Sequence, residues 1–246
     1  MKAEYAHEVE QLIKIVAEAE SVVFFGGAGV STDSGIPDFR GQGGLYADGE
    51  SKEYYLSREC LYNEPEKFYE FFRENMMFPY AEPNEAHLAL AELENRGILT
   101  AVITQNIDGL HQMAGSSKVI ELHGTSERYY CTRCRKAYGK EYVQGSARVP
   151  LCPECGNMIR PDVVLYGEAL PGFAYAEAAD AIAGADVLIV GGSSLVVHPA
   201  ASLIDVFQGE HLVIINHTPT PYDGLAELII RDSIGEVLRA VADEME

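Results

Sequence analysis

Residues 21–31 read Ser-Val-Val-Phe-Phe-Gly-Gly-Ala-Gly-Val-Ser. Four apolar residues, Val22, Val23, Phe24 and Phe25, run without alternation and end in a glycine turn. An uninterrupted apolar strand is buried on both faces, as in parallel sheets covered by helices. A glycine-rich turn after such a strand lets backbone amides approach a pyrophosphate. The turn Gly27-Ala28-Gly29 has Thr32 where the dinucleotide fingerprint has its third glycine. On its own it reads equally as a plain tight turn.

Similar apolar runs occur at 98–103, 119–122, 163–166, 187–190 and 212–215, and each is expected to be a strand. Helical patterns separate several of them. Residues 5–20 carry Val9, Leu12, Ile13 and Val16 on one helix face, and 174–183 and 199–207 are also expected to be helical. Asn63 is expected to cap a helix with Pro65 in its first turn, and Asn84 another that Gly97 ends. Ser233 with Glu236 forms a capping box for the last helix. Alternating strands and helices predict an α/β fold built on a doubly wound parallel sheet. Residues 41–83 and 124–155 break that rhythm and read as insertions forming a smaller lobe.

The 246 residues are 47% hydrophobic, enough for a well-packed core and against disorder. No apolar run reaches the roughly 18 residues of a membrane span. The first residues, Met1 to Tyr5, include Glu4 and lack the apolar stretch of a secretion signal, so the cytoplasm is the expected location. Net charge is −20, which repels nucleic acid and anionic membranes. Residues 124–160 depart from this, with seven Lys/Arg against three acids, a net +4 that leaves −24 for the rest. Such a break marks a separately built module.

That module holds Cys131-Thr132-Arg133-Cys134 and Cys152-Pro153-Glu154-Cys155, with 17 residues between the pairs. Two C-x-x-C knuckles at this spacing match a four-thiolate zinc site. Four protein ligands leave no position for water, so such a zinc is structural. Two disulfides are the alternative, and a cytosolic chain disfavours them. Cys60 is left over and reads as a packing residue.

Polar residues follow other predicted strands. They are Thr104-Gln105-Asn106-Ile107-Asp108, Leu122-His123-Gly124, Gly191-Gly192-Ser193-Ser194 and Asn216. Open parallel sheets bind ligands at the carboxyl ends of their strands, which makes these residues site candidates. Each has a plain alternative as a turn, a cap or a satisfied core histidine. His87 and His111 fall within helical patterns and are expected to pack. Phe39 and Arg40 follow the glycine turn within a turn-forming stretch, 33–40, and are placed to cover a nucleotide.

Taken together and in order, Gly27-Ala28-Gly29-Val30-Ser31, Gly35-Ile36-Pro37-Asp38-Phe39-Arg40, Thr104-Gln105-Asn106-Ile107-Asp108, Leu122-His123-Gly124, the paired C-x-x-C and Gly192-Ser193-Ser194 closely resemble the sirtuin family of NAD-dependent protein-lysine deacylases. The resemblance runs from the first strand to Asn216. It implies a Rossmann-like large domain of residues 1–40, 84–123 and 160–246. It also implies a small domain made of a helical insertion, 41–83, and a zinc module, 124–159. NAD would lie between the domains as co-substrate, with one structural zinc.

The implied chemistry runs as follows. The acetyl-lysine oxygen attacks the ribose carbon that carries nicotinamide, and nicotinamide leaves. A histidine base then activates a ribose hydroxyl, and water completes release of lysine and O-acetyl-ADP-ribose. By this resemblance His123 is the base, and Asn106 and Asp108, beside Ile107, hold nicotinamide. Gln105 meets the ribose. Gly27, Ala28, Gly29, Gly192 and Ser193 line the phosphates, and Phe39 and Arg40 close over the cofactor. Ser194 and Asn216 hold the adenosine side. Acyl-lysine peptides would enter between 164–168 and 195–197, with Val164, Tyr166, Gly167 and Val196 in contact. The resemblance also places Tyr69 and Phe72 where succinyl-removing members carry a Tyr-x-x-Arg pair, so uncharged acyl groups are expected. Gly26 stands where many members have Thr. A hydride-transferring dehydrogenase, a mono-ADP-ribosyltransferase and a non-catalytic NAD sensor are the competing readings. No nucleic-acid or membrane partner is expected, and a monomer is the working expectation.

Overall fold

The structure is a computed structural model, and it describes residues 3–41, 43–46, 52–146 and 148–245. Met1 and Lys2, and part of the expected insertion (42 and 47–51), lie outside the described residues.

Six parallel strands form the main sheet: β1 (Val22–Gly26), β2 (Leu99–Thr104), β3 (Val119–Glu121), β7 (Val187–Gly191), β8 (His211–Ile215) and β9 (Leu228–Ile230). Their order is β3-β2-β1-β7-β8-β9. The chain winds outward on both sides of the β1–β7 pair, which is the doubly wound order with its switch point there. All five residues of β1 and of β7 are buried, as continuous apolar strands require. Alternate side chains serve opposite faces. Val22 and Phe24 join a core under α1 (Ala6–Glu18), α4 (Glu85–Asn95) and α8 (Ile234–Glu244). Val23 and Phe25 join the core under α7 (Gly172–Ala183) and the 3-10 segment Ala200–Val206.

A second sheet, β5-β4-β6, is antiparallel and contains β4 (Gly124–Cys131), β5 (Ala137–Gly139) and β6 (Ile159–Val163). Helices α2 (Arg58–Asn63) and α3 (Pro65–Asn75) pack on it in a third core that joins Leu61, Phe68, Tyr69 and Phe72 to Tyr129, Cys131 and Ile159. Two short α-helices also occur, α5 (Leu110–Ala114) after β2 and α6 (Lys140–Gln144) after β5.

Several sequence expectations shift. The apolar run 163–166 is not a strand of the main sheet. Val163 ends β6, and Tyr166 makes only an isolated bridge to Ser57. Its apolarity serves the third core, where Val163 and Leu165 are buried. Asn63 ends α2 instead of capping α3, whose N-cap is Glu64 with Pro65 in the first turn. On α1 the buried face uses Ile15 together with Val9, Leu12 and Val16, while Ile13 is only partly buried. Residues 200–206 form a 3-10 helix, and β9 has no counterpart among the expected strands. The caps at Asn84 and Ser233 form as expected, each accepting a backbone N–H.

Gly26 has a packing reason. A Cβ there would stand 2.8 Å from the Phe24 ring, and one at Gly191 would also stand 2.8 Å from it. The fully buried Phe24 ring fills the space that a side chain at either position would need.

Candidate active site

The carboxyl ends of β1, β2 and β7 meet at one edge of the sheet. Gly27 and Gly29 donate to the Gly191 and Gly192 carbonyls at 3.2 and 2.8 Å. A Cβ at Gly27 would come within 2.9 Å of the Gly192 carbonyl oxygen, and one at Gly29 within 2.8 Å of Gly192 Cα. Gly192 itself has φ 61, the left-handed region. The glycines are thus required by the close approach of two strand-end loops, whatever those loops bind. Gln105 ties the third strand to them, its Nε2 donating to Ser193 Oγ at 3.0 Å.

Next to this edge lies a network centred on Ser31. Its hydroxyl donates to Asp108 Oδ2 at 2.7 Å and accepts from Asn106 Nδ2 at 3.0 Å. The other Asp108 oxygen accepts from the Leu110 N–H, which starts α5. Behind Ser31 stands His87, with Nε2 3.4 Å from Ser31 Oγ. The Asn84 N–H donates to His87 Nδ1, so the neutral ring carries its proton on Nε2, facing Ser31. Burial pushes the His87 pKa down to about 4, which keeps the ring neutral. His87 is therefore buried, as expected of a packing residue, and also reaches the site. Ser31 appeared in the sequence motif without a role. Neither residue stands out in sequence, because Ser31, His87 and Asp108 come from three separate segments.

His123 follows β3. Its Nδ1 lies 2.9 Å from the Gln105 carbonyl oxygen. A carbonyl only accepts, so Nδ1 bears the proton, and Nε2 of the neutral ring is left with a free lone pair. Burial pushes its pKa below the ordinary imidazole value, partly countered by that hydrogen bond.

The other candidates are spread more widely. Phe39 packs against Tyr46 with ring centroids 5.6 Å apart, and Arg40 pairs with Glu53 at 3.4 Å. Ser194 is half-buried, and the Asn216 amide donates to the Thr218 carbonyl at 2.8 Å, a local turn contact. Val164 donates its N–H to the His123 carbonyl, which joins the expected substrate segment to the histidine. Val164 and Gly167 line a surface cavity of about 440 Å³ that also contains Arg58 and the Arg160–Glu168 ion pair. Tyr166 pairs through its backbone with Leu56 and Arg58, and Val196 is 47% exposed. Tyr69 and Phe72 are both buried in the third core. Arg73, one residue on, turns away and donates to the Arg148 carbonyl at 2.8 Å.

The four cysteines converge. Their Sγ atoms all lie within 4.8 Å of one another, with Cys131–Cys155 at 3.4 Å and Cys134–Cys152 at 3.6 Å. A tetrahedron with Zn–S bonds of about 2.3 Å needs sulfurs roughly 3.8 Å apart, so this set could hold one structural zinc. The two knuckles close alike. Arg135 (φ 62) donates its N–H to the Cys131 carbonyl, and Gly156 (φ 70) donates to the Cys152 carbonyl. The module's excess of cations is largely spent on ion pairs: Arg128 with Glu121 and Asp162, Lys136 with Glu154, Lys140 with Glu127, Arg148 with Glu66 and Arg160 with Glu168. No helix among the described residues is long and apolar enough to cross a membrane.

A doubly wound sheet with a polar cluster at its switch point, beside a four-thiolate module, defines a nucleotide-cleft protein with a structural metal centre. Residues 27–199 match the Sir2 family. The chain is 51% identical over 239 residues to an NAD-dependent protein deacetylase of Clostridium acetobutylicum, covering 95% of this chain and 98% of that protein. It is 50% identical over 236 residues to a protein of the same description from Cutibacterium acnes, covering 94% and 96%. Among solved structures, a Sir2 complex with a p53 peptide and NAD+ is 45% identical, with a TM-score of 0.88 over 96% of this chain and 98% of that one. A Sir2 variant with deacetylated p53 peptide and 3'-O-acetyl-ADP-ribose superposes with a TM-score of 0.90 at 45% identity, over the same shares. The chain belongs to the Sir2, or sirtuin, family.

Proposed function

We propose that this chain removes acetyl groups from protein lysines at the expense of NAD, giving nicotinamide, O-acetyl-ADP-ribose and free lysine. Relatives described as NAD-dependent protein deacetylases match it over nearly its whole length. The observation that carries the reading is the orientation of His123. Its Nδ1–H is engaged by the Gln105 carbonyl, and Nε2 is kept neutral and free.

In this reading the Ser31–Asn106–Asp108 network holds the nicotinamide carboxamide, with Asp108 accepting from its amide. Nicotinamide is a good leaving group because departure discharges its ring cation. The acetyl-lysine carbonyl oxygen bonds to the vacated ribose carbon. His123 Nε2 takes the proton of a ribose hydroxyl, which attacks the activated acyl carbon, and water releases lysine. Gln105 and Ser193, already hydrogen-bonded to each other, face the ribose and phosphates beside Gly27, Ala28, Gly29 and Gly192. Phe39 and Arg40 close over the cofactor, and Ser194 and Asn216 hold the adenosine side.

Cys131, Cys134, Cys152 and Cys155 hold one zinc that braces the smaller lobe and takes no part in chemistry. The large lobe comprises 1–40, 84–123 and 160–246, and the small lobe 41–83 with the zinc module 124–159. The pairing of Ile159–Val163 with β4 supports moving that boundary to the end of β6. The substrate is an acyl-lysine segment that adds as a strand beside Val164, Tyr166, Gly167 and Val196. Its acyl group is uncharged, because Phe72 offers nothing to pair with a carboxylate. The ion-paired state of the module's cations supports a protein partner over nucleic acid.

Incubating an acetyl-lysine peptide with the protein, with and without NAD, tests the reading. Deacetylation only with NAD is expected. Deacetylation without NAD, or NADH formation in its place, would overturn it.

A further inference from the structure

One segment holds two alternate carbonyls of the loop that carries Asn106 and Asp108. His123 engages the Gln105 carbonyl, and three residues later Ser126 engages the Ile107 carbonyl. Ser126 does so twice, with its backbone N–H at 2.8 Å and its hydroxyl at 2.8 Å. Ser126 is buried and lies on β4, the strand that ends in the first zinc-knuckle cysteine, Cys131. Its neighbour Glu127 covers the next turn of the same loop. A Cβ at Gly109 (φ 74) would stand 3.1 Å from Glu127 Cγ. Glu127 is itself fixed by Lys140 of α6 at 2.7 Å.

We propose that Ser126 is a positioning residue for the nicotinamide pocket, transmitting the rigidity of the zinc-bound sheet to Asn106 and Asp108. The inference rests on the reading of those two residues as nicotinamide contacts. A loop between a strand and a short helix has few packing contacts of its own, so its carbonyl anchors set where its side chains point. With the Ile107 carbonyl held by both Ser126 donors at 2.8 Å, and more distantly by the Thr125 hydroxyl at 3.5 Å, the flanking side chains face Ser31 in a fixed orientation. That pre-orients the pocket for a planar carboxamide and lowers the ordering cost of binding. Ser126 has no partner in the β4 ladders, which skip from Thr125 to Tyr129 on the β6 side and start at Arg128 on the β5 side. Removing its hydroxyl therefore leaves the pairing of β4 untouched, while the loop keeps only the backbone donor and the distant Thr125 hydroxyl.

The experiment compares Ser126→Ala, Ser126→Thr and Asp108→Asn with the wild type, all zinc-loaded. The readouts are KM for NAD, inhibition by nicotinamide, KM for the acetyl-peptide, zinc content and melting temperature. For Ser126→Ala, KM for NAD and the nicotinamide inhibition constant are expected to rise together by about fivefold, the scale of one hydrogen bond. Peptide KM and zinc content should hold, and Ser126→Thr should restore both NAD parameters. Unchanged NAD and nicotinamide constants in Ser126→Ala, alongside impaired Asp108→Asn, would overturn the role of Ser126 alone. A Ser126→Ala variant that loses zinc and peptide affinity equally would also overturn it, since that marks general structural damage. If Asp108→Asn uses NAD normally, the pocket reading itself fails.

Discussion

His123 Nδ1 sits 2.9 Å from the Gln105 carbonyl oxygen, so the backbone of the loop after β2 dictates the tautomer of the histidine after β3. In the proposed mechanism the neutral form is the base, and burial lowers the pKa. A lowered pKa keeps the ring unprotonated further into acid. The acidic limb of kcat/KM should therefore have its midpoint below the ordinary imidazole value of about 6.5. A midpoint at or above 7 would contradict the assignment. His123→Ala should lose deacetylation by at least about a hundredfold while NAD binding and melting temperature stay near wild type.

Ser31 donates to Asp108 while accepting from Asn106, and among the described residues no other side chain hydrogen-bonds to both. Ser31→Ala leaves a half-buried carboxylate and an amide without their shared partner. A loss of about 1–3 kcal/mol is expected, which is a fall of roughly ten- to a hundredfold in kcat/KM for NAD. Peptide KM should change little. Steady-state kinetics with each substrate varied in turn decides it, and an equal fall for both would point to misfolding.

The cysteine tetrad should bind one zinc per chain, measurable by elemental analysis. Cys131→Ser should remove it and lower the melting temperature, because the third core includes Cys131 and Cys152. Zinc retained at one per chain in that variant would show that the ligands are misassigned.

Phe24 and Gly26 are coupled by space. Gly26→Thr alone should destabilise by about 1–3 kcal/mol, as overpacking does. Combined with Phe24→Val it should cost less than the two single changes summed, because the ring that obstructs residue 26 is gone. Denaturant unfolding of all four species closes the cycle. Strict additivity would refute the coupling.

The parts of this protein legible in its sequence are those decided locally. The thiolate set follows from spacing alone, and β1 and β7 follow from burial on both faces, which removes polar residues from their runs; β2 and β8 keep enough of that character to be read despite the exposed Thr100 and the partly exposed His211. The segment 163–166 has the same apolar character for a different reason. It backs a small antiparallel sheet, and composition does not distinguish the two. Asn63 and Glu64 sit at a junction of two helices where either can cap. At the site, strand-end residues such as Gln105 and His123 could be singled out in advance. The partnership of Ser31 with His87, and of Ser126 with Ile107, depends on segments far apart in the chain and becomes visible only once they are folded together.

The most direct test of the central claim is a single reaction of purified protein, NAD and acetyl-lysine peptide, with nicotinamide, O-acetyl-ADP-ribose and free-lysine peptide quantified together by mass spectrometry. The account predicts the three products in equal amounts. Nicotinamide formed without deacetylated peptide, or with ADP-ribose attached to protein, would contradict it.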